Sequence, residues 1–317
     1  MPPALYTQTV IAMVWDFDRT LIPRHMQEPI FAHYRVDPRQ FWSEVDGLVT
    51  HYARRGLRVA RDTAYLGHFL SYIRAGVFRG LTNRRLREFG AELEFAPGMP
   101  DFMARAKAEI ASYPRFREHG IAVEHYIVST GFRQMIEGSA VREYVDDIWA
   151  CEMLADPPGP GYLDQLALDS EDGELAQVGY ALDNTAKTRA IFEINKGVNK
   201  NPTLDVNARM SEDQRRVPIR NMIYIADGPS DVPVFSVVFA GGGKNLGVYS
   251  LAEPSNYEQV KDLEEQARVH HIAKADYTPG SEADLWLMSS LRRIATEIAD
   301  RREAVLAMVP GAPRHVG

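Results

Sequence analysis

Two aspartates separated by a single residue, Asp16-Phe17-Asp18, follow directly on the apolar run Val10–Trp15. Carboxylates this close at a strand exit cost stability unless a cation or a substrate uses them. Taken alone, Asp-x-Asp-x-Thr fits a solvated turn equally well, because Asp favours turns by bonding its own backbone. A second acidic turn, Asp227-Gly228-Pro229-Ser230-Asp231, follows another apolar run, Met222–Ala226, and Gly228 permits a close approach of the backbone. Four carboxylates with no His or Cys among them form a hard oxygen set, which suits Mg²⁺ better than zinc.

Two further groups suit an anionic substrate. Ser129, Thr130 and Gly131 offer a hydroxyl and successive N–H groups to phosphate oxygens, although a Ser-Thr-Gly turn also serves as a helix cap. Lys187, near the start of a helix expected over residues 185–195, would offset the charge of a phosphoryl group and of the acids, although a lysine there is ordinarily solvated. Lys196 and Lys200 are rivals with poorer spacing. Phosphoryl transfer needs positioning and neutralisation of the equatorial oxygens, which such a set supplies.

The elements that must carry these residues are legible too. Strand-like runs over Val10–Trp15, residues 126–128 and Met222–Ala226 each end in a polar turn, the pattern of a parallel sheet with its ligand crevice beyond the carboxyl strand ends. Residues 24–95 show helical spacing, for example Phe41, Val45, Leu48 and Val49, and are read as a helical insert. Pro97-Gly98-Met99-Pro100 marks the return to the core, with Asp101 at the start of a helix. A hairpin is expected within 161–181 around Glu171-Asp172-Gly173, a polar surface excursion over 202–218, and one amphipathic helix over 285–309 that packs through Leu285, Leu291, Ile294, Ile298 and Leu306. Gly241-Gly242-Gly243-Lys244 lacks the spacing of a nucleotide-binding loop and is read as a flexible turn near the crevice, and His270-His271 as surface.

In order, Asp16-Phe17-Asp18-Arg19-Thr20-Leu21, Ile127-Val128-Ser129-Thr130-Gly131-Phe132, Asp183-Asn184-Thr185-Ala186-Lys187 and Ala226-Asp227-Gly228-Pro229-Ser230-Asp231 resemble the four motifs of the haloacid dehalogenase-like superfamily, particularly its phosphoserine phosphatase-like branch. The resemblance implies an α/β fold, a Rossmann-like parallel-sheet core with helices on both faces formed by residues 1–23 and 96–317, plus a mostly helical cap of residues 24–95 inserted after the first strand. It implies Asp16 as nucleophile, Asp18 as general acid/base, and Ser129 and Lys187 on the phosphoryl group. Thr20, Thr130, Gly131 and Gly228 would complete the phosphate site, with Thr20 steadying the nucleophile loop. Mg²⁺ would be held by Asp16, Asp227, Asp231 and the backbone carbonyl of Asp18, with Asp231 either on the ion or beside it. Ala226, Thr130 and Pro229-Ser230 depart from the phosphoserine phosphatase pattern, so the reaction is carried over and the substrate is not.

The expected activity is Mg²⁺-dependent hydrolysis of a small phosphorylated metabolite through an aspartyl-phosphate. The alternative is a phosphate-binding or phospho-acceptor signalling protein with little turnover. A halide-removing hydrolase is disfavoured because that branch generally lacks the acid at Asp18. The 317 residues carry 45% hydrophobic and 25% charged side chains and a net charge of −7, which argue for a globular protein and against nucleic-acid or membrane-surface binding. A single cysteine, Cys151, and a start without a secretory signal pattern make a reducing cytoplasm the simplest expected home. Residues 24–95 hold 12 Arg, no Lys and 8 acids, a formal +4. Arg54, Arg55, Arg58 and Arg61 recur at spacings that a helix would gather towards one side, where they would form either an ordinary solvated face or a surface that selects an ester with a second anionic group.

Overall fold

Val10–Trp15 (β1) is an unbroken apolar stretch whose residues are buried from Ile11 onward, as a strand covered on both faces requires. The computed structural model describes residues 7–164, 173–250, 252 and 254–307. After β1 come four helices, α1 (Glu28–Tyr34), α2 (Pro38–Ala53), α3 (Ala64–Arg74) and α4 (Asn83–Ala91). The chain continues through α5 (Asp101–Ser112), α6 (Pro114–Glu118), β2 (Ala122–Phe132), α7 (Arg133–Gly138), β3 (Asp147–Ala155) and β4 (Leu175–Tyr180). It ends with α8 (Lys187–Lys196), β5 (Met222–Ala226), α9 (Val232–Ala240), β6 (Lys244–Tyr249), α10 (Pro254–Glu265), β7 (His271–Lys274) and α11 (Glu282–Ala307).

The strands form one seven-stranded sheet in the order β4-β3-β2-β1-β5-β6-β7, parallel except for the β3–β4 pair. The path from β1 to β2 and the path from β5 to β6 run in opposite directions across the sheet. Right-handed crossovers therefore put α5 and α9 on opposite faces. β1 lies at the point where the order reverses, the place where open α/β sheets bind ligands. Trp15 pairs with Ile127 on one side and Ile225 on the other, so Asp16 leaves the sheet level with Val128 and Ala226.

Residues 24–95 contain α1 to α4 and have an aromatic centre of their own. Phe69 meets Phe41 at 4.9 Å, Phe78 at 5.0 Å and Phe31 at 5.9 Å between ring centroids, and all four rings are fully buried. The segment is fastened to the sheet domain by close backbone contact between α4 and α7. A Cβ on Gly90 would lie 2.0 Å from the Met135 carbonyl oxygen, and one on Gly138 would lie 2.1 Å from that of Arg87. At the return to the core, Gly98 has φ +81° and packs on the Tyr277 backbone, where only glycine fits.

Several expectations need correction. β2 is longer than 126–128, because pairing with β1 begins at Ala122. β4 pairs antiparallel with β3, and the hairpin expected around Glu171-Asp172-Gly173 falls largely on residues 165–172, which lie outside the described residues. In α11, Leu291, Ile294 and Ile298 are buried, but Leu285 and Leu306 are 60% exposed because they fall on the solvent side. Residues 308 and 309 lie outside the described residues. Gly241 to Gly243 precede β6 and sit against Ile219 and Arg220, at the amino end of the parallel strands and away from the crevice. Arg54 caps α2 and α3 begins only at Ala64, so Arg55, Arg58 and Arg61 lie in the connection and share no helix face.

Candidate active site

A cavity of about 460 Å³ opens beyond the carboxyl ends of the central strands and is lined by Asp16, Asp18, Ser129, Thr130, Lys187 and Asp227. Trp42, Asp46, Arg61, Asp62 and Tyr65 also line it, so the helical segment contributes to the same cavity as Asp16. Arg61 is the one of the four clustered arginines that reaches the cavity, and it is bonded to Asp46 at 3.1 Å, with Asp62 beside it. The wall is therefore not the positive island expected from composition. A larger cavity of about 550 Å³, between Thr7, Arg220 and the end of α11, contains none of the motif residues.

At the floor, the Lys187 ammonium donates to Asp16 Oδ1 at 2.8 Å and to Asp231 Oδ1 at 2.7 Å. Lys187 opens α8 and is buried there, so its charge is held by these two carboxylates. The Tyr224 hydroxyl donates to the same Asp231 oxygen at 2.5 Å and Ser230 to the other at 2.8 Å. Both Asp231 oxygens are thus occupied. Asp227 is ion-paired with Arg19, whose Nε lies 2.9 Å away, while Asn256 Nδ2 donates to its carboxylate at 3.2 Å and its carbonyl at 2.8 Å.

Carboxylate oxygens of Asp16, Asp227 and Asp231 lie within 4.8 Å of one another, and all three residues are buried. Burial pushes the Asp16 carboxyl well up, against the pull of Lys187, and the other two acids push it further. Burial likewise raises Asp227 to about 6, opposed by Arg19 and reinforced by Asp231. Burial alone would lower the Lys187 ammonium, but Asp16 and Asp231 raise it above its ordinary value. One lysine and one arginine do not relieve this crowding of acids. An all-oxygen donor set at this spacing fits a hard divalent cation such as Mg²⁺.

Asp18 stands apart from that trio. Its Oδ1 accepts the Met26 N–H at 3.0 Å and its Oδ2 lies 3.4 Å from His25 Nδ1, which turns the carboxylate toward the cavity. The loop carrying it is tight: the Phe17 carbonyl accepts from Leu21 at 2.9 Å, and Arg19 has φ 58°. Thr20 is buried beneath the cavity rather than in its wall, and its carbonyl accepts the Tyr277 hydroxyl at 2.9 Å. The Gly131 N–H is taken by Ser129 Oγ at 3.0 Å, which removes it as a direct phosphate donor. Gly228 has φ −173°, an extended backbone open to any residue, and the nearest atom to an added Cβ is Gln259 Oε1 at 3.9 Å. The fold itself thus does not demand glycine there.

Sequence reasoning missed Arg19, His25, Asn256, Tyr65 and Tyr224, each of which touches a motif residue. Arg19 was visible within the first motif. The others reach the site only through the fold.

No family model matches the chain. It is 38% identical over 289 residues to an uncharacterized protein of Borreliella burgdorferi, covering 90% of this chain and 97% of that one. Among solved structures it is similar to a probable phosphoserine phosphatase of Vibrio cholerae, at 14% identity and a TM-score of 0.49 over 93% of this chain and 68% of that chain. A HAD family hydrolase of Salmonella enterica serovar Typhi is similar at 13% identity and a TM-score of 0.48, over 86% of this chain and 68% of that chain.

Proposed function

The chain belongs to one family with the Borreliella burgdorferi protein, and we propose that it is a Mg²⁺-dependent phosphomonoester hydrolase of the haloacid dehalogenase-like kind. The observation that carries this reading is the meeting of all four motif stretches at one cavity, with Lys187 bridging Asp16 and Asp231.

In the first step the Asp16 carboxylate attacks the phosphorus of the ester and the bond to the leaving oxygen breaks. Asp18, as the carboxylic acid, gives its proton to that oxygen, and the alcohol departs. The product is an aspartyl-phosphate on Asp16. In the second step Asp18 takes a proton from water as the water attacks phosphorus, which releases inorganic phosphate and restores Asp16. The Ser129 hydroxyl and Lys187 ammonium bind phosphoryl oxygens throughout. Asp16 and Asp227 would hold Mg²⁺, with Asp231 beside it fixing Lys187, and the ion would supply positive charge against the phosphoryl oxygens.

Residues 24–95 act as a cap in this reading. Their wall over Asp16 restricts water and meets the leaving group. The leaving group is that of a small phosphorylated metabolite, because the cavity is small. No helix among the described residues is long and apolar enough to cross a membrane. The lone, buried Cys151 suits a reducing cytoplasm.

A panel of phosphorylated metabolites assayed with Mg²⁺ and with chelator tests the proposal. Phosphate release that requires Mg²⁺ supports it, and release that survives chelation sinks it. A chain that binds phosphate without turning over any ester would instead be the phosphate-binding alternative.

A further inference from the structure

The hydroxyl of Tyr65 donates to the backbone carbonyl of Thr130 at 2.5 Å. Tyr65 is buried in the first turn of α3, and Thr130 stands between Ser129 and Gly131. This bond therefore joins the helical segment to the loop assigned above to the phosphoryl group. The peptide linking Thr130 to Gly131 is held at its other end as well, since the Gly131 N–H donates to Ser129 Oγ at 3.0 Å.

A hydroxyl oxygen that accepts an N–H keeps its own proton for donation elsewhere. Ser129 is buried and lines the cavity, and among the described residues its hydroxyl donates to no protein atom. Bonds in such a chain polarise one another. Donation from Tyr65 to the Thr130 carbonyl strengthens the Gly131 N–H as a donor, and the Gly131 bond in turn strengthens the Ser129 O–H. Cys151 Sγ also reaches the Thr130 carbonyl, at 3.3 Å, but a thiol is a weak donor. Packing holds Tyr65 in register, with Phe132 at 5.7 Å and Trp42 at 5.8 Å between ring centroids. Burial, then Cys151, raise the Tyr65 hydroxyl well above its ordinary range, so it keeps its proton at any working pH.

We propose that Tyr65 is a positioning residue for phosphate binding: it fixes the peptide between Thr130 and Gly131, aims the Ser129 hydroxyl at the phosphoryl group, and so ties phosphate affinity to the seating of the helical segment. The inference rests on the hydrolase reading for the location of the phosphoryl group.

The test compares wild type, Tyr65→Phe, Ser129→Ala and the double variant. Calorimetry with inorganic phosphate in Mg²⁺ reads binding, and kinetics on one small and one bulky ester read turnover. One net hydrogen bond corresponds to roughly a fivefold change. Tyr65→Phe should raise the phosphate Kd about fivefold and raise KM by a similar factor for both esters, with kcat changed far less. In the Ser129→Ala background the same substitution should weaken binding no further. An unchanged phosphate Kd in folded Tyr65→Phe overturns the proposal, as does equal weakening with and without the Ser129 hydroxyl. Tyr65→3-fluorotyrosine, a stronger donor of nearly the same size, provides a second route that does not depend on how Tyr65→Phe folds: tighter phosphate binding supports the link, and unchanged or weaker binding overturns it. Phosphate binding without turnover of either ester counts against the hydrolase reading alone, while the calorimetry still decides the role of Tyr65. A wild type that binds no phosphate overturns both.

Discussion

Lys187 Nζ lies 2.8 Å from Asp16 Oδ1 across a separation of 171 residues, and its other carboxylate, Asp231, is 2.7 Å away. The ammonium is the buried cation of a site that also holds Asp227. With Arg19 on Asp227, three buried carboxylates face two cations, a donor set that could hold a divalent ion.

Lys187→Ala leaves the buried Asp16 and Asp231 without their shared cation, which costs about 3–5 kcal/mol for a broken buried pair. Denaturant unfolding in chelator should show a loss of that order. Added Mg²⁺ should recover part of it, because a ligand that binds only the folded state stabilises by mass action. An unfolding midpoint indifferent to both substitution and Mg²⁺ would remove the lysine from the charge balance.

Asp18→Asn should keep the fold, since an amide oxygen still accepts the Met26 N–H now bonded to Asp18. It loses the proton-transfer steps, worth about 10²–10⁴ in rate. The loss should be smaller for an aryl phosphate, whose leaving group needs little protonation, than for an alkyl phosphate. Equal losses on the two esters would assign Asp18 a different task.

His125, on β2, is bonded to both β1 and α5. Its Nδ1 accepts the Trp15 indole N–H at 3.2 Å, which makes Nε2 the protonated nitrogen donating to the Met103 carbonyl at 3.0 Å. Both bonds belong to the neutral ring, and burial, helped by the charge of Lys107, lowers its pKa to about 3. Below about pH 6.5 the unfolded chain therefore takes up a proton that the folded chain refuses. The contribution to stability is present in full above pH 6.5 and is lost as pH falls toward 3, at up to about 1.4 kcal/mol per pH unit. Urea unfolding between pH 7.5 and 4.5 should fall more steeply for wild type than for His125→Gln, and parallel profiles would contradict this.

Gly90→Ala forces a Cβ to within 2.0 Å of the Met135 carbonyl oxygen, a backbone atom that cannot swing aside. Overpacking of this kind costs about 1–3 kcal/mol. Thermal unfolding should register the loss, and amide exchange should rise first in α4 and α7. An unaltered melting temperature would show that the two helices part freely.

How much of this was legible depended on whether the signal was local. β1 and β5 were readable to the residue, because a fully buried strand is a continuous apolar run and here each run ends abruptly in Asp. The acid trio and Lys187 were legible as types in order. The meeting of Asp16 and Asp231 at Lys187 required the parallel register that brings Trp15 level with Ile127 and Ile225. The pairing of β4 with β3 escaped because it is long-range, and alternation within 161–181 could not identify its partner. The arginine run has helical spacing but lacks the apolar stripe that would hold a helix against the segment's aromatic centre, and so it lies in the connection between α2 and α3. Tyr65 and His25 carried no mark at all, since a tyrosine at apolar spacing is simply a core residue until the Thr130 carbonyl is found beside it.

Acid quenching of the wild-type protein during Mg²⁺-supported hydrolysis of a ³²P-labelled ester reads out whether Asp16 carries the phosphoryl group during turnover. Label is expected on the peptide containing Asp16 and not in Asp16→Asn, whose amide cannot attack phosphorus. Label on another peptide, or steady hydrolysis by Asp16→Asn, would contradict it.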